Sequence, residues 1–166
     1  MNPTSLDSLN KSFWLLGDII TVKITGQETG GKYSVWEIKA PSQSGPPSHY
    51  HTNMEEGFYV LEGDFSFEHN GKVVNSTAGS FIHVQRGVVH IYKNMGKDMG
   101  RLLVTGIPAG FENFIEELGV PIADEKSFIS SSDTPHPPDI GRIVEISKNH
   151  GINFVPSLNK ESSSGR

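Results

Sequence analysis

Histidine and glutamate side chains are concentrated in residues 48–63, which read SHYHTNMEEGFYVLEG. Successive side chains of an extended strand point to opposite faces, so His49 and His51 should project together. In the next predicted strand, Glu56 shares a face with the apolar Phe58. Two imidazoles and a carboxylate that meet at one point can bind a metal ion, although a His-x-His pair by itself is often only a polar surface pair.

A second stretch supplies a third imidazole. Residues 79–94, GSFIHVQRGVVHIYKN, contain the turn glycine Gly87 and then a short apolar strand that carries His90. Three neutral imidazoles and one carboxylate suit a divalent first-row metal such as Mn, Fe, Co, Ni or Zn, and this donor set does not choose among them. Ligands on the inner wall of a barrel, with room for water or substrate, favour a catalytic site over a closed structural one.

Short strands separated by turn signals must position these residues. Glycines mark most of the turns, and Asn70-Gly71 is a strong signal for a two-residue hairpin. The strands are predicted within residues 13–25, 33–40, 56–61, 65–68, 73–74, 81–84, 88–92 and 101–107. Strands of this length and even spacing predict an all-β sandwich or barrel.

Helical spacing of apolar residues begins after the last strand. It predicts short C-terminal helices over residues 108–118 and 139–149. We expect one domain over residues 13–158, preceded by a flexible leader at 1–12 and followed by a disordered tail at 159–166.

The two histidine stretches resemble the two sequence motifs of the cupin family. The first motif, Gly-x5-His-x-His-x(3,4)-Glu-x6-Gly, is matched by His49, His51, Glu56 and Gly63. The second, Gly-x5-Pro-x-Gly-x2-His-x3-Asn, is matched by Gly79, Gly87, His90 and Asn94. The chain departs from the motifs at Gly45, two residues too close to His49, and at Gln85, which replaces the proline. The resemblance implies a double-stranded β-helix, or jelly-roll barrel, with His49, His51, Glu56 and His90 as metal ligands.

Residues 108–119, PAGFENFIEELG, also resemble the tail of bacterial cupins that are similar to quercetin dioxygenases. That resemblance implies a metal-dependent dioxygenase that uses O₂ to cleave a small enolic or aromatic, flavonol-like substrate. It gives Glu56 a second role, as the base that takes the substrate's hydroxyl proton, whereas Glu55 should point into solvent. An isomerase or epimerase, a non-catalytic small-molecule-binding protein and a purely structural metal site are the alternatives.

Apolar side chains are expected to line a substrate pocket, which favours an apolar or aromatic ligand. They are Phe58, Val60, Phe67, Phe81 and Tyr92. Most of them fit the role of plain core residues better than that of pocket residues. Alternation places His83 either beside the pocket or on the outer face, while His69 and His136 should be solvated and His150 should end a helix.

The composition of the 166-residue chain excludes several kinds of partner. Its 14 basic and 19 acidic residues give a net charge of −5 without a basic patch, which argues against nucleic acid and anionic membranes. The chain has no cysteine, so disulfides and thiolate sites are excluded. The N-terminal residues lack a signal-peptide pattern, and no apolar run reaches about 18 residues.

We therefore expect a soluble cytoplasmic protein. We also expect it to form a homodimer, because an open sandwich leaves strand edges exposed.

Overall fold

Strands with alternating inward and outward side chains are the main elements of this chain. The computed structural model describes residues 11–131, 135 and 139–155. Within these residues twelve strands form: β1 (Lys11–Leu15), β2 (Asp18–Ile24), β3 (Ser34–Ala40), β4 (His49–His51), β5 (Glu55–Glu62), β6 (Asp64–His69), β7 (Lys72–Thr77), β8 (Phe81–Val84), β9 (His90–Asn94), β10 (Gly100–Ile107), β11 (Val120–Ile122) and β12 (Ile152–Phe154).

Four helices accompany these strands in the described residues: α1 (Gly26–Thr29), α2 (Phe111–Leu118), α3 (Glu125–Ser130) and α4 (Ile140–Asn149). The amphipathic helix α2 buries Phe114, Ile115 and Leu118 against the barrel. Both helices predicted from helical spacing are present, as α2 and α4. The short α1 and α3 were not predicted, because four and six residues are too few to show a 3.6-residue period.

The strands form two antiparallel sheets. The first has the order β11-β1-β2-β3-β10-β5-β8, and the second has the order β12-β4-β9-β6-β7. Trp36, Phe58 and Leu102 from the first sheet pack against Phe67 and Tyr92 from the second in one continuous core. This arrangement confirms the predicted all-β jelly-roll barrel with short C-terminal helices.

The Asn70-Gly71 turn joins β6 to β7 as predicted. Both residues have positive φ angles, 51° and 71°, which is the conformation that a two-residue hairpin turn requires. The hairpin of β2 and β3 also forms, and its connection contains the single helical turn of α1.

Several boundaries differ from those predicted. β1 begins at Lys11, and the side chain of Ser12 is buried, so these two residues of the predicted leader belong to the sheet. The strand that carries His90 starts at that residue rather than at Val88, because the Val88 N–H is bound in a turn to the Gln85 carbonyl. The remaining leader residues 1–10, His136 and the predicted tail 159–166 lie outside the described residues.

Candidate metal centre and cavity

The strand β4 carries two of the three candidate histidines on one face. His49 and His51 are buried, while Tyr50 between them is only partly so, as the period of a strand requires. β4 pairs with β9 in a register that sets His49 opposite His90, and the centroids of these two rings are 4.4 Å apart. Two neighbouring strands of one sheet therefore bring three imidazoles together.

Glu56 approaches the same point from the other sheet. It lies on β5, where Glu56, Phe58 and Val60 are all buried in alternation with more exposed neighbours. Its Oε2 is 3.0 Å from His51 Nε2 and 2.9 Å from His90 Nε2. One ligand atom from each of the three histidines and Glu56 lies within 4.8 Å of all the others.

Two backbone carbonyls fix the orientation of two of the rings. His49 Nδ1 is 2.9 Å from the Pro47 carbonyl oxygen, and His90 Nδ1 is 3.0 Å from that of Val88. A carbonyl only accepts, so each Nδ1 carries the hydrogen and donates it. The Nε2 atoms are then left to face the cluster, which is the orientation that metal-binding histidines show.

The charges in the cluster depend strongly on one another. Burial would raise the pKa of Glu56, but the nearby charge of His51 and the hydrogen bond and charge of His90 outweigh this effect and hold that pKa well below its usual range. Burial alone would lower the pKa of His90, yet its hydrogen bond to Glu56 raises it. His49 behaves differently, because burial and the two other imidazoles lower its pKa to about 3. The cluster therefore holds a carboxylate beside at least one neutral imidazole.

These side chains fit a divalent metal ion. His51 has no hydrogen-bond partner of good geometry for either ring nitrogen among the described residues, although its Nε2 lies close to the Glu56 carboxylate. The buried carboxylate needs a cation, and converging imidazole nitrogens need a proton or a metal between them and the carboxylate. Three nitrogens and one oxygen, with no thiolate, form the donor set that Mn, Fe, Co, Ni and Zn accept.

A cavity opens beside the cluster, and most of its wall is apolar. The cluster residues His49 and Glu56 belong to the wall. The other lining residues are Leu15, Leu16, Asp18, Ile20, Trp36, Ile38, Pro46, Phe58, Tyr92, Phe111, Phe114, Ile152 and Phe154. The sandwich therefore presents the candidate metal centre to a space that suits an apolar or aromatic molecule.

The predicted pocket residues divide into three groups. The structure places Phe58 and Tyr92 in the cavity wall. Val60 and Phe67 are buried in the core and do not line the cavity. The assignment of Phe81 to the pocket is wrong: its side chain is 64% exposed, because the register of β8 with β5 turns Ile82 and Val84 inward instead.

The same register settles the position of His83. Its side chain is on the outer face, where Nε2 lies 2.7 Å from Glu55 Oε2, and both side chains are substantially exposed. Glu55 thus points away from the cluster, as predicted. His150 lies at the C-terminal end of α4 and pairs with Glu117 at 2.7 Å, so it also lies outside the cluster.

Asp18 is a cavity residue that the sequence reasoning missed. The Tyr92 hydroxyl donates to Asp18 Oδ2 at 2.5 Å, and the Ser44 hydroxyl donates to Oδ1. Burial raises the pKa of Asp18 to about 6, against the lowering effect of these two hydrogen bonds. A lone aspartate within the otherwise apolar run FWLLGDIITV was the available signal, because an isolated carboxylate is rarely buried without a purpose.

Gly45, which departs from the first cupin motif, has a clear steric role. A Cβ atom at this position would lie 2.0 Å from the Tyr92 carbonyl oxygen. Glycine thus allows the loop of residues 41–48 to lie directly on β9, where the Asn94 N–H donates to the Ser44 carbonyl at 2.9 Å. That contact holds Ser44 beside Asp18.

Comparison with known proteins agrees with this fold and cluster. The family model of the cupin domain matches residues 35–106, which contain all four cluster residues. Together with the two-sheet barrel, the match identifies residues 35–106 as a cupin domain.

Individual relatives are distant. A quercetin 2,3-dioxygenase of Bacillus subtilis (strain 168) is 29% identical over 120 residues, covering 72% of this chain but only 35% of that protein, so the chain spans about a third of the length of this relative. An RmlC-like cupin from Shewanella frigidimarina matches with a TM-score of 0.56 at 19% identity, covering 68% of this chain and 96% of that one. The polyketide cyclase RemF from Streptomyces resistomycificus matches with a TM-score of 0.54 at 18% identity, covering 64% of this chain and 79% of that one. These structural matches establish the fold alone.

No helix in the described part of the chain is both long enough and apolar enough to span a membrane.

Proposed function

We propose that this cupin is a metal-dependent oxygenase that uses O₂ to cleave a small enolic or aromatic substrate, in the manner of a flavonol dioxygenase. The observation that carries the proposal is a cluster of three histidines and one glutamate on the wall of a cavity that is otherwise mostly apolar. The similarity to a quercetin 2,3-dioxygenase supports the same chemistry. A sugar isomerase would need more polar groups in the cavity than this wall provides.

His49, His51, His90 and Glu56 would hold the metal. Bound there, a divalent ion supplies Lewis acidity toward a substrate oxygen and, if it is redox-active, a route for electrons to O₂. The carbonyls of Pro47 and Val88 keep the imidazoles of His49 and His90 in the tautomer that leaves Nε2 available. These backbone contacts prepare the site before any ligand arrives.

Glu56 is placed to move a proton as well as to bind. It is both a member of the cluster and part of the cavity wall, so a hydroxyl group of a substrate held at the cluster is within reach of its carboxylate. Removing that proton converts an enol or phenol into the electron-rich anion that reacts with O₂. The neighbouring Glu55 points to the outer face and cannot take part.

Aromatic side chains would orient the body of the substrate. Trp36 and Phe111 stack with their ring centroids 4.5 Å apart, and both belong to the cavity wall together with Phe58. Such a wall excludes water and accepts flat molecules by offset or edge-to-face contacts. The cavity therefore favours a planar substrate over a polyhydroxylated one.

The decisive experiment starts with metal analysis of protein purified without a histidine tag. O₂ consumption is then measured with the identified metal restored, using a flavonol, a 1,3-diketone and a panel of sugars. We expect O₂ uptake with the flavonol or the diketone. Sugar interconversion without O₂ uptake would favour an isomerase, and tight binding of the flavonol without any turnover would favour a binding protein.

A further inference from the structure

Asp18 enters the cavity from an unusual turn. β1 and β2 are joined by the two residues Leu16 and Gly17, whose φ angles are 51° and 102°. A left-handed backbone is uncommon for a bulky residue such as leucine and is found most often where the structure requires it. The turn brings Leu15, Leu16 and Asp18 into the cavity wall.

The partners of Asp18 differ in kind from those of two other buried carboxylates, Glu37 and Glu112. Glu37 pairs with two cations, Lys23 and Arg101, and Glu112 accepts from the backbone N–H groups of two glycines. Asp18 receives only the hydroxyl hydrogens of Tyr92 and Ser44, and no cation pairs with it among the described residues. A carboxylate has about four acceptor positions, so about two remain unused on a side chain that lines the cavity.

Asp18 and the cluster of three histidines and Glu56 lie at different points of the same cavity. Its carboxylate is not among the ligand atoms that lie within 4.8 Å of one another. Its partner Tyr92 lies two residues beyond His90 on β9, which corresponds to about 7 Å along the strand. The other residues that line the cavity are mostly apolar.

We propose that Asp18 is a specificity-determining residue that accepts a hydrogen bond from an O–H or N–H group at the end of the substrate remote from the metal cluster. This inference rests on the proposed function, because the cluster is taken to hold the reacting oxygen. The substrate class that results is a flat apolar molecule with a metal-binding oxygen at one end and a hydrogen-bond donor at the other. Tyr92 and Ser44 act as positioning residues that hold the carboxylate in place.

Two further features support a ligand at this position rather than a purely structural carboxylate. Burial raises the pKa of Asp18 to about 6, so the carboxylate is ionised at neutral pH but poorly solvated, and a donor from a ligand would stabilise it. Trp36 lines the same cavity, and its buried indole N–H has no acceptor among the described residues. The Asp18 carboxylate thus gives the cavity unused capacity to accept hydrogen bonds.

A matched pair of probes tests the proposal without turnover. 4-Propylphenol and its methyl ether, 4-propylanisole, have the same apolar body, but only the phenol can donate. Their dissociation constants would be measured by calorimetry for the full-length protein under nitrogen, both as purified and after metal removal with a chelator. The chelated sample separates a contact with Asp18 from phenolate binding at the metal.

We expect the wild-type protein to bind the phenol at least about tenfold more tightly than the ether in both samples, as for a hydrogen bond to a charged acceptor. Asp18→Asn should reduce this preference to less than about threefold, because a neutral amide accepts more weakly, while affinity for the ether is retained. Ser44→Ala should lower the preference only in part, because the carboxylate loses one positioning hydroxyl while the Tyr92 hydroxyl still holds its other oxygen. The control Glu37→Gln, outside the cavity, should change neither affinity.

Equal affinity of the wild type for the two probes would overturn the proposal, as would a preference that survives in Asp18→Asn or a failure to bind either probe. The wild-type comparison remains decisive if a variant does not fold. Failure of the oxygenase assay with the phenol preference intact would reject the proposed reaction but not the role of Asp18. Normal oxygenase activity without a preference for the phenol would reject the role of Asp18 but not the proposed reaction.

Discussion

Replacing Asp18 with asparagine should make the protein more stable at neutral pH. The substitution keeps the shape of the side chain and leaves an oxygen that accepts from the Tyr92 hydroxyl, while its amide can donate to Ser44. It removes the charge from a side chain that is only 4% exposed and has no cationic partner among the described residues. The desolvation that raises the pKa of Asp18 should therefore be relieved.

The size and the sign of the effect follow from that pKa. Asp18 titrates at about 6 in the folded protein, against 3.8 for an unperturbed aspartate. A shift of about two pKa units corresponds to about 3 kcal/mol. Because the folded state binds the proton more tightly, this contribution to the free energy of unfolding is fully present below about pH 4 and is lost as the pH rises through about 6.

The measurement is chemical unfolding of the wild type and Asp18→Asn between pH 4 and pH 8, with a chelator in every sample. The histidines titrate in both proteins, so their contributions cancel in the difference between the two free energies of unfolding. We expect the variant to gain about 2 kcal/mol relative to the wild type between pH 4 and pH 7, because at pH 4 the contribution is not yet complete. A difference that does not change with pH would refute the reasoning, because Asp18 would then titrate normally in the folded state.

Glu37→Gln provides a control of opposite sign. Glu37 is also buried, but Arg101 and Lys23 outweigh the effect of burial and lower its pKa. Its contribution to stability is therefore present at neutral pH and is lost as the pH falls through its lowered folded-state pKa. The Gln variant should be less stable than the wild type at pH 7, and the difference should shrink toward acidic pH.

Three other predictions concern the metal site and the assembly. His90→Ala should weaken metal binding by more than the roughly 10–100-fold that is lost when a group hydrogen-bonded to a metal ligand is removed. His83→Ala, on the outer face, should leave the metal content unchanged. Metal analysis after dialysis checks both predictions. Glu56→Gln should retain much of the metal but lose O₂ uptake, whereas Glu55→Gln should change neither property. An inactive Glu55→Gln variant together with an active Glu56→Gln variant would contradict the assignment of Glu56 to the site. We also predict a homodimer through the outer face of the larger sheet, which includes the N-terminal strands β1 and β2 and the exposed Phe81 on β8. Sedimentation should show a dimer at micromolar concentration and a shift to monomer for Phe81→Asp, and a monomeric wild type would exclude the dimer.

The positions of the cluster residues could be predicted because the two-residue period of a strand is a local property. His49, His51 and Glu56 each lie on a strand whose inward face is marked by alternation with exposed neighbours. β8 has no such mark: its four residues, FIHV, place apolar side chains on both faces. Its phase is set by pairing with β5, which is a tertiary contact, so the positions of Phe81 and His83 could not be read from the sequence.

The pairing of β12 with β4 could not be predicted from the sequence either. It joins Ile152 to His51 and Phe154 to His49, about a hundred residues apart in the chain, through a strand of only three residues. Three residues carry too little periodicity to predict a strand. Asp18 differs, because its apolar neighbours in the sequence were a signal of burial that was overlooked, whereas its partners Tyr92 and Ser44 depend on tertiary contacts.

The origin of the cavity wall determines where specificity should be sought in this protein. The cupin match at residues 35–106 contains all four residues of the histidine and glutamate cluster, but eight of the fifteen cavity-lining residues lie outside the match. They come from the β1–β2 hairpin, α2 and β12: Leu15, Leu16, Asp18, Ile20, Phe111, Phe114, Ile152 and Phe154. A barrel of this kind supports many reactions, so the shared domain supplies the candidate metal ligands but does not by itself select the reaction or the substrate. Substitutions in these flanking segments should therefore change which molecule is bound, whereas substitutions in the cluster should change whether any molecule reacts.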